Sequence, residues 1–382
     1  MRVMDERIRF GVLLPTGKAQ WGEGADPRGL VDFAVRAELT GTTTTAPSAP
    51  GRAVVATQQS KPLTRWKNGD SAMNVRKLRD DKMRVEFTPS PELYPFQSHW
   101  FETDGVRVHY IDEGAGRPIL MCHGNPTWSF LYRKIILRLR GQFRCVAVDY
   151  PGFGLSDRPQ GYGYTPAEHA AIVGRLVDHL GLDDFIVMGQ DWGGPIGMTV
   201  ASQRAERVGG LVFMNTWFWR TDRLGMRLFS RVMSSRPLQR QVLERNFFVE
   251  RLMPRLVSHP LEAEVMEHYR RAQPTPEARW GAAEFPHQIL ASGAWLERLA
   301  SRASQALRDK PVLLVWGIKD RAFGSRKLIE RWQRSFPTAE VIVLADANHF
   351  VQEDAPDQIA DAVAKKFGRP VRLAARPAGD GV

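Results

Sequence analysis

Gly189-Gln190-Asp191-Trp192-Gly193-Gly194 closes the apolar run 185–189 and opens a helical pattern. A buried strand that turns sharply into a helix, with small residues two before and two after the central side chain, has the pattern of a nucleophile elbow. The small residues let strand and helix pass closely. The tight turn lifts residue 191 above the sheet, and the helix N-terminus beneath it favours negative charge. Asp stands here where many hydrolases have Ser. An Asp at this point can also be a plain helix N-cap, but the flanking glycines and the preceding strand favour the nucleophile.

The surrounding pattern supplies the sheet that an elbow requires. Residues 99–112 alternate around Asp104-Gly105 and predict a β-hairpin. Runs 118–122 and 144–148 are continuously apolar, as buried parallel strands are. Runs 208–214, 311–317 and 340–344 complete the set. Thr165-Pro166-Ala167-Glu168 is a capping box with Pro at the first helical position, so a helix starts there. Strands alternating with helices predict an α/β protein of the α/β-hydrolase fold, with a mostly parallel, doubly wound sheet. Residues 217–300 break the rhythm. They carry Arg, Leu, Phe, Met and Trp at helical spacing and no clear strand, and read as a helical cap insertion. The main domain is then 96–216 with 301–369, and 370–382 a flexible tail.

A carboxylate at position 191 is ionised near neutral pH and needs no base to activate it. It can displace a leaving group from carbon and form an ester. Hydrolysis of that ester needs a base acting on water. His349, in Ala345-Asp346-Ala347-Asn348-His349-Phe350 after the last strand, is placed for that work. Asp320, after Trp316-Gly317-Ile318-Lys319, would orient the imidazole, and the order nucleophile, acid, histidine fits the fold. Asp346 competes for the acid's place, although an Asp after a strand is often a turn residue. His123-Gly124-Asn125-Pro126-Thr127-Trp128 follows another strand. Its turn can aim the Asn125 backbone N–H at a developing oxyanion beside that of Trp192. His123 reads as a loop-fixing residue.

The segments HGNPTWSFLYR, YPGFGLSDRP, GQDWGG, WGIKD and DANHFVQEDAP together resemble haloalkane dehalogenases, in the branch with an Asn and Trp halide pair and a late Asp acid. The resemblance spans about residues 95–368. It implies that Asp191 attacks carbon, that the side chains of Asn125 and Trp192 donate N–H to the leaving halide, and that products are alcohol, halide and a proton. The partners it implies are a small apolar halogenated substrate, water and halide ion. Some relatives add a second halide-binding Trp from the cap; Trp217, Trp219, Trp280 and Trp295 all qualify, and the sequence selects none. Epoxide hydrolases share the Asp, His and acid, but use tyrosines from the cap as proton donors; residues 217–300 contain one, Tyr269. A non-catalytic ligand-binding protein of this fold is a third reading, disfavoured because every triad position is filled. The elbow lacks the Ser of an esterase, and Ser156 lies in a loop without the elbow pattern.

Composition narrows the classes further. The 382 residues include 43% hydrophobic and 25% charged, an ordinary globular balance. Net charge is +11, yet the arginines are scattered among acids and no nucleic-acid motif accompanies them. A solvated basic surface is the expectation, with neither nucleic acid nor membrane as partner. No long apolar run and no secretory signal pattern are read, and the two cysteines, Cys122 and Cys145, fall in strand-like runs as buried thiols. These features point to the cytoplasm. No metal-binding spacing or complete dinucleotide loop occurs, so no cofactor and no metal are expected. Residues 1–95 differ in composition and read as an atypical, poorly ordered or vestigial extension. Within them RFGVLLPTGKAQWGEGADPRGLVDFAVRAE is similar to the first strand, loop and helix of luciferase-like monooxygenases, a barrel that one such unit cannot build. Gly11, Gly17 and Lys18 miss the phosphate-loop spacing.

Overall fold

The computed structural model describes residues 84–368. The stretch similar to the monooxygenases and the tail 370–382 lie outside the described residues. Eight strands form one sheet in the order β1-β2-β4-β3-β5-β6-β7-β8. β1 (Ser98–Thr103) and β2 (Val106–Glu113) make the predicted antiparallel hairpin. Its two turn residues, Asp104 and Gly105, have φ of 51° and 73°, the left-handed pair that a two-residue hairpin turn demands. β2 also runs antiparallel to β4 (Phe143–Val148). From there β3 (Arg117–Cys122), β5 (Phe185–Gln190), β6 (Val208–Met214), β7 (Val312–Gly317) and β8 (Glu340–Leu344) are all parallel.

The continuous apolar runs are explained by burial on both faces of the sheet. Leu120, Val187, Leu211 and Leu314 face one core. Their neighbours Ile119, Ile186, Val212 and Leu313 face the other. The first core is closed by α2 (Pro166–His179), α3 (Gly193–Gln203) and α9 (Arg326–Ser335); the second by α1 (Arg133–Leu139) and α10 (Pro356–Phe367). The capping box at the start of α2 is complete: Thr165 Oγ1 accepts from Glu168 N, and the Glu168 carboxylate accepts from Thr165 N.

Between β6 and β7 the chain runs through α4 (Leu224–Met233), α5 (Arg236–Arg245), α6 (Ala263–Arg271), α7 (Trp280–Ala291) and α8 (Gly293–Ala306). Two boundaries drawn from composition do not coincide with structural breaks. Residue 300 falls inside α8, which packs along the elbow helix α3. Residue 95 cuts a packed segment, since Phe87 and Tyr94 are buried. Tyr94 is hydrogen-bonded to Ser129 at 2.5 Å, and Phe87 lies edge-on to Trp128. Both corrections share a cause: a helix or strap that buries one stripe is amphipathic, and composition does not say against what it packs. Cys122 and Cys145 are buried free thiols on β3 and β4. Among the described residues no helix is long and apolar enough to cross a membrane.

Candidate active site

Asp191 is the turn between β5 and α3, with φ of 50°. Such a left-handed conformation is uncommon outside glycine and costs energy, so the surroundings must enforce it. They do: Gly194 N donates to Asp191 O at 3.0 Å and Thr216 Oγ1 to the same oxygen at 2.5 Å. Close packing sets the glycines around it. A Cβ on Gly193 would lie 1.9 Å from Cys122 O, and one on Gly124 would lie 2.5 Å from Asp191 Cβ.

The Asp191 carboxylate is buried, and Asn125 N donates to its Oδ2 at 2.8 Å. Burial lifts the Asp191 carboxyl above the ordinary carboxylate range. The charge of His349 and the backbone N–H groups of Asn125 and Trp192 oppose that lift. A desolvated carboxylate held this way is more basic, and so more nucleophilic, than one in water.

His349 lies in the turn after β8, near enough to Asp191 for the two charges to interact. Its Nδ1 is 2.8 Å from Asp320 Oδ2. Burial disfavours the charged imidazole, but the Asp320 carboxylate, by charge and hydrogen bond, together with Asp191, holds His349 above the usual histidine range. Asp320 is buried too. Burial would raise its carboxyl, and His349, Asn215 and Ala322 N–H bring it below the ordinary value. Its Oδ1 accepts from Ala322 N and Phe323 N at 2.8 and 3.1 Å. The competing acid, Asp346, instead pairs with Lys319 at the surface.

Two residues that the sequence did not single out join this relay. Asn215, at the end of β6, donates from Nδ2 to Asp320 Oδ2 at 2.9 Å, and both donates to and accepts from Gly317 backbone at 2.8 Å. Gln190, adjacent to the nucleophile, places Nε2 3.0 Å from His349 Nε2 and 3.0 Å from His349 O. The signal for Asn215 was a polar residue closing an apolar strand next to the elbow strand. For Gln190 it was a buried polar position inside the elbow itself.

A wall of aromatic rings completes the site. Trp192 stacks on Phe285 of α7 at 5.1 Å and meets Trp217 edge-on at 4.8 Å; Trp217 stacks on Phe323, and Phe323 on His349. Of the four tryptophans open in the sequence, Trp217 is the one whose ring contacts Trp192, and its buried Nε1 has no partner among the described residues. Asn125 spends one side-chain N–H on Ala282 O of α7 at 3.2 Å and keeps a second. His123 is fully buried, stacked on Tyr150 and bonded to Gly124 O at 2.9 Å; burial drives its pKa down to about 4. It fixes the loop, as expected. Ser156 is also buried and bonds Asp149 O. Tyr269 lies away from this group: its O–H donates to Glu353 at 2.7 Å, in a buried cluster with Arg133. Among the described residues no group of three or more His, Cys, Asp or Glu is arranged to hold a metal.

Comparison with known proteins adds an independent line. Residues 117–356 match the alpha/beta hydrolase fold family. The chain is 57% identical over 286 residues to haloalkane dehalogenase 2 of Mycobacterium tuberculosis, covering 75% of this chain and all of that protein. It is 33% identical over 282 residues to cis-3-alkyl-4-alkyloxetan-2-one decarboxylase of Shewanella oneidensis, covering 70% and 87%. In three dimensions it is similar to the haloalkane dehalogenase DatA from Agrobacterium tumefaciens C58. The TM-score is 0.65 at 26% identity, with 70% of this chain and 95% of that one covered.

Proposed function

The chain belongs to the haloalkane dehalogenases within the α/β-hydrolase fold, and from that premise we propose that it cleaves carbon–halogen bonds through an alkyl ester on Asp191. The observation that carries this reading is a buried Asp, in place of Ser, on an elbow beside a His349–Asp320 pair and a wall of aromatic rings.

The geometry supports the following steps. Asn125 N–H holds Asp191 Oδ2, which leaves Oδ1 to attack the halogen-bearing carbon. The C–O bond forms as the carbon–halogen bond breaks. The halide leaves toward the remaining side-chain N–H of Asn125 and the indole N–H of Trp192. A halide is a large, weakly hydrated acceptor, and fixed donors stabilise it as charge develops. Trp217, whose ring meets Trp192 and whose Nε1 has no partner among the described residues, is a candidate third donor. His349 then takes a proton from water through Nε2, while Asp320 stabilises the imidazolium. The water oxygen attacks Cγ of the ester. Charge gathers on Oδ2, where the N–H groups of Asn125 and Trp192 receive it. The Cγ–Oδ1 bond breaks, and the alcohol leaves with the proton from His349; the hydrogen still on the water-derived oxygen is then lost as the product proton, which returns Asp191 to carboxylate.

The helices α4 to α7 act as the cap in this reading, because α7 supplies Phe285 against Trp192 and Ala282 O against Asn125. An aromatic lining suits a small apolar halogenated substrate and disfavours bulk water. The two buried free cysteines support a cytoplasmic location. Opening an epoxide would require a proton donor for the ring oxygen, and Tyr269, which the sequence left open for that task, is committed to Glu353. The Shewanella relative supports a decarboxylase reading less strongly, at 33% identity against 57%.

The test is bromide release from 1,2-dibromoethane beside diol formation from styrene oxide. Wild-type protein releases bromide and forms no diol, and Asp191→Ala lowers bromide release by on the order of 10⁴-fold or more. Bromide release unchanged in Asp191→Ala would contradict the assignment.

A further inference from the structure

The hydrolytic half of this reaction requires His349 to reach the ester stage neutral, with its lone pair on Nε2. Two nearby charges work against that. Before attack, Asp320 from the β7–α9 turn and Asp191 from the elbow both favour the imidazolium; once Asp191 is an ester its charge is gone and Asp320 alone still does. The other neighbours, Phe323 and Phe350, are rings without charge. Gln190 is the one polar side chain placed to favour the neutral form among the described residues. It is fully buried, and its amide nitrogen lies 3.0 Å from both His349 Nε2 and His349 O. A primary amide has two N–H groups, so both contacts are made at once. With Nδ1–H donating to Asp320, the ring nitrogen that faces Gln190 is an acceptor. An imidazolium would set N–H against N–H. Turning the amide over would relieve that clash, but it would put Oε1 against the carbonyl oxygen of His349. The amide is therefore held one way round. Its Oε1 is buried with no partner among the described residues, which leaves an acceptor open beside the base.

We infer that Gln190 is a positioning residue for ester hydrolysis: its amide N–H groups hold His349 in the neutral, Nδ1-protonated tautomer, and its Oε1 accepts a hydrogen of the attacking water. This rests on the alkyl-ester reading given above. The step balances as before. The water gives one proton to His349 Nε2, displacing the amide N–H from the lone pair, and its oxygen bonds to Cγ of Asp191. The second hydrogen stays on that oxygen, held by Gln190 Oε1.

Gln190→Met keeps length and removes both amide functions; Gln190→Glu keeps the acceptor and replaces the donors with a charge that favours imidazolium. With 1,2-dibromoethane, the first-turnover bromide release of Gln190→Met stays within about threefold of wild type, since attack by Asp191 does not involve the amide. Steady-state kcat falls by about 10- to 100-fold, the loss expected of one hydrogen bond to a charged or reacting group. Alkyl-enzyme accumulates in the intact mass, and the acid limb of the kcat profile moves to higher pH, further in Gln190→Glu than in Gln190→Met. An acid limb that stays in place, with no rise in alkyl-enzyme, would overturn the inference and leave Gln190 as packing. If neither variant folds, the ¹⁵N shifts of His349 in the wild-type protein decide. A protonated Nδ1 beside a hydrogen-bonded, unprotonated Nε2 supports the role, and a protonated Nε2 in the neutral ring contradicts it. Failure of the underlying reading looks different: no alkyl adduct would form in any variant, including His349→Phe.

Discussion

Among the described residues are two buried histidine–aspartate pairs with the same spacing. His349 Nδ1 lies 2.8 Å from Asp320, and His109 Nδ1 lies 2.8 Å from Asp149. The second pair even continues to a hydroxyl, since His109 Nε2 is 2.9 Å from Ser98 Oγ, giving the atom order of a Ser-His-Asp triad. The difference lies in what each pair touches. The second ring nitrogen of His349 opens on Gln190 beside the nucleophile turn. Ser98 sits in the extended backbone of the edge strand β1, with neither a left-handed turn nor a helix start to project it. Asp149 instead gathers backbone N–H groups: Ser129 at 2.7 Å and Leu155 at 3.0 Å. It ties the loops after β3 and β4 to the hairpin. In the proposed reading the same His–Asp distance serves chemistry in one place and tethering in the other, so the pair alone identifies neither.

Removing each histidine should separate the two roles. His349→Phe is expected to give the largest effect. Turnover falls by on the order of 10⁴-fold, while the first bromide is still released and a 2-bromoethyl adduct stays on the protein. Intact mass and a bromide burst check this; normal turnover with no adduct would erase the distinction between the pairs.

His109→Phe is expected to do the reverse. Burial alone would lift the Asp149 carboxyl; His109 first, by charge and hydrogen bond, together with His123 and the Leu155 N–H, brings it below the ordinary range. A buried carboxylate left without its partner costs about 3–5 kcal/mol. A denaturant titration should show that loss, with kcat of the remaining folded protein within about twofold of wild type. The native pair contributes stability above the unfolded carboxyl pKa of about 4, and that contribution fades as pH falls through the lower folded value. A variant as stable as wild type would show that His109 tethers nothing.

A third buried carboxyl sharpens the contrast from the other side. Glu284 on α7 has the neutral Gln288 amide as its partner at 2.6 Å, and burial raises its pKa to about 7. Here the folded value lies above the unfolded one. The protein therefore loses stability as pH rises from about 4.5 through 7, up to ~3 kcal/mol for a gap of this size. Glu284→Gln should flatten that loss, so its denaturation midpoint exceeds wild type at pH 8 and approaches it at pH 5. Equal midpoints at pH 8 would show that Glu284 ionises there without penalty.

Much of this was legible in the sequence because it is local. The elbow, the hairpin turn at Asp104-Gly105 and the cap of α2 are each set by consecutive residues, and β6 and β8 have the predicted bounds. Asp191, Asn125 and Trp192 were legible for the same reason, each lying in or beside one tight turn. Order along the chain does not separate Asp320 from Asp346, since both precede His349; the sequence disfavoured Asp346 only as a common turn residue, and it is the fold that sends Asp346 out to Lys319. What stayed hidden depends on side chains meeting across the fold. Asn215 reaches Asp320 over a separation of 105 residues, and Gln190 reaches His349 over 159. Tyr269 was an open proton donor until its partner, 84 residues away, was seen to be Glu353. Choosing Trp217 among four tryptophans needed the ring contact with Trp192.

The most direct test of covalent attack by Asp191 is a single turnover in H₂¹⁸O with enzyme in excess over 1,2-dibromoethane. Attack through Oδ1 sends an unlabelled oxygen into the alcohol and leaves ¹⁸O in the carboxylate of Asp191, where peptide mass analysis finds it. Label in the first-turnover alcohol, with none in the peptide carrying Asp191, would mean that water attacks the halocarbon directly and would contradict the account.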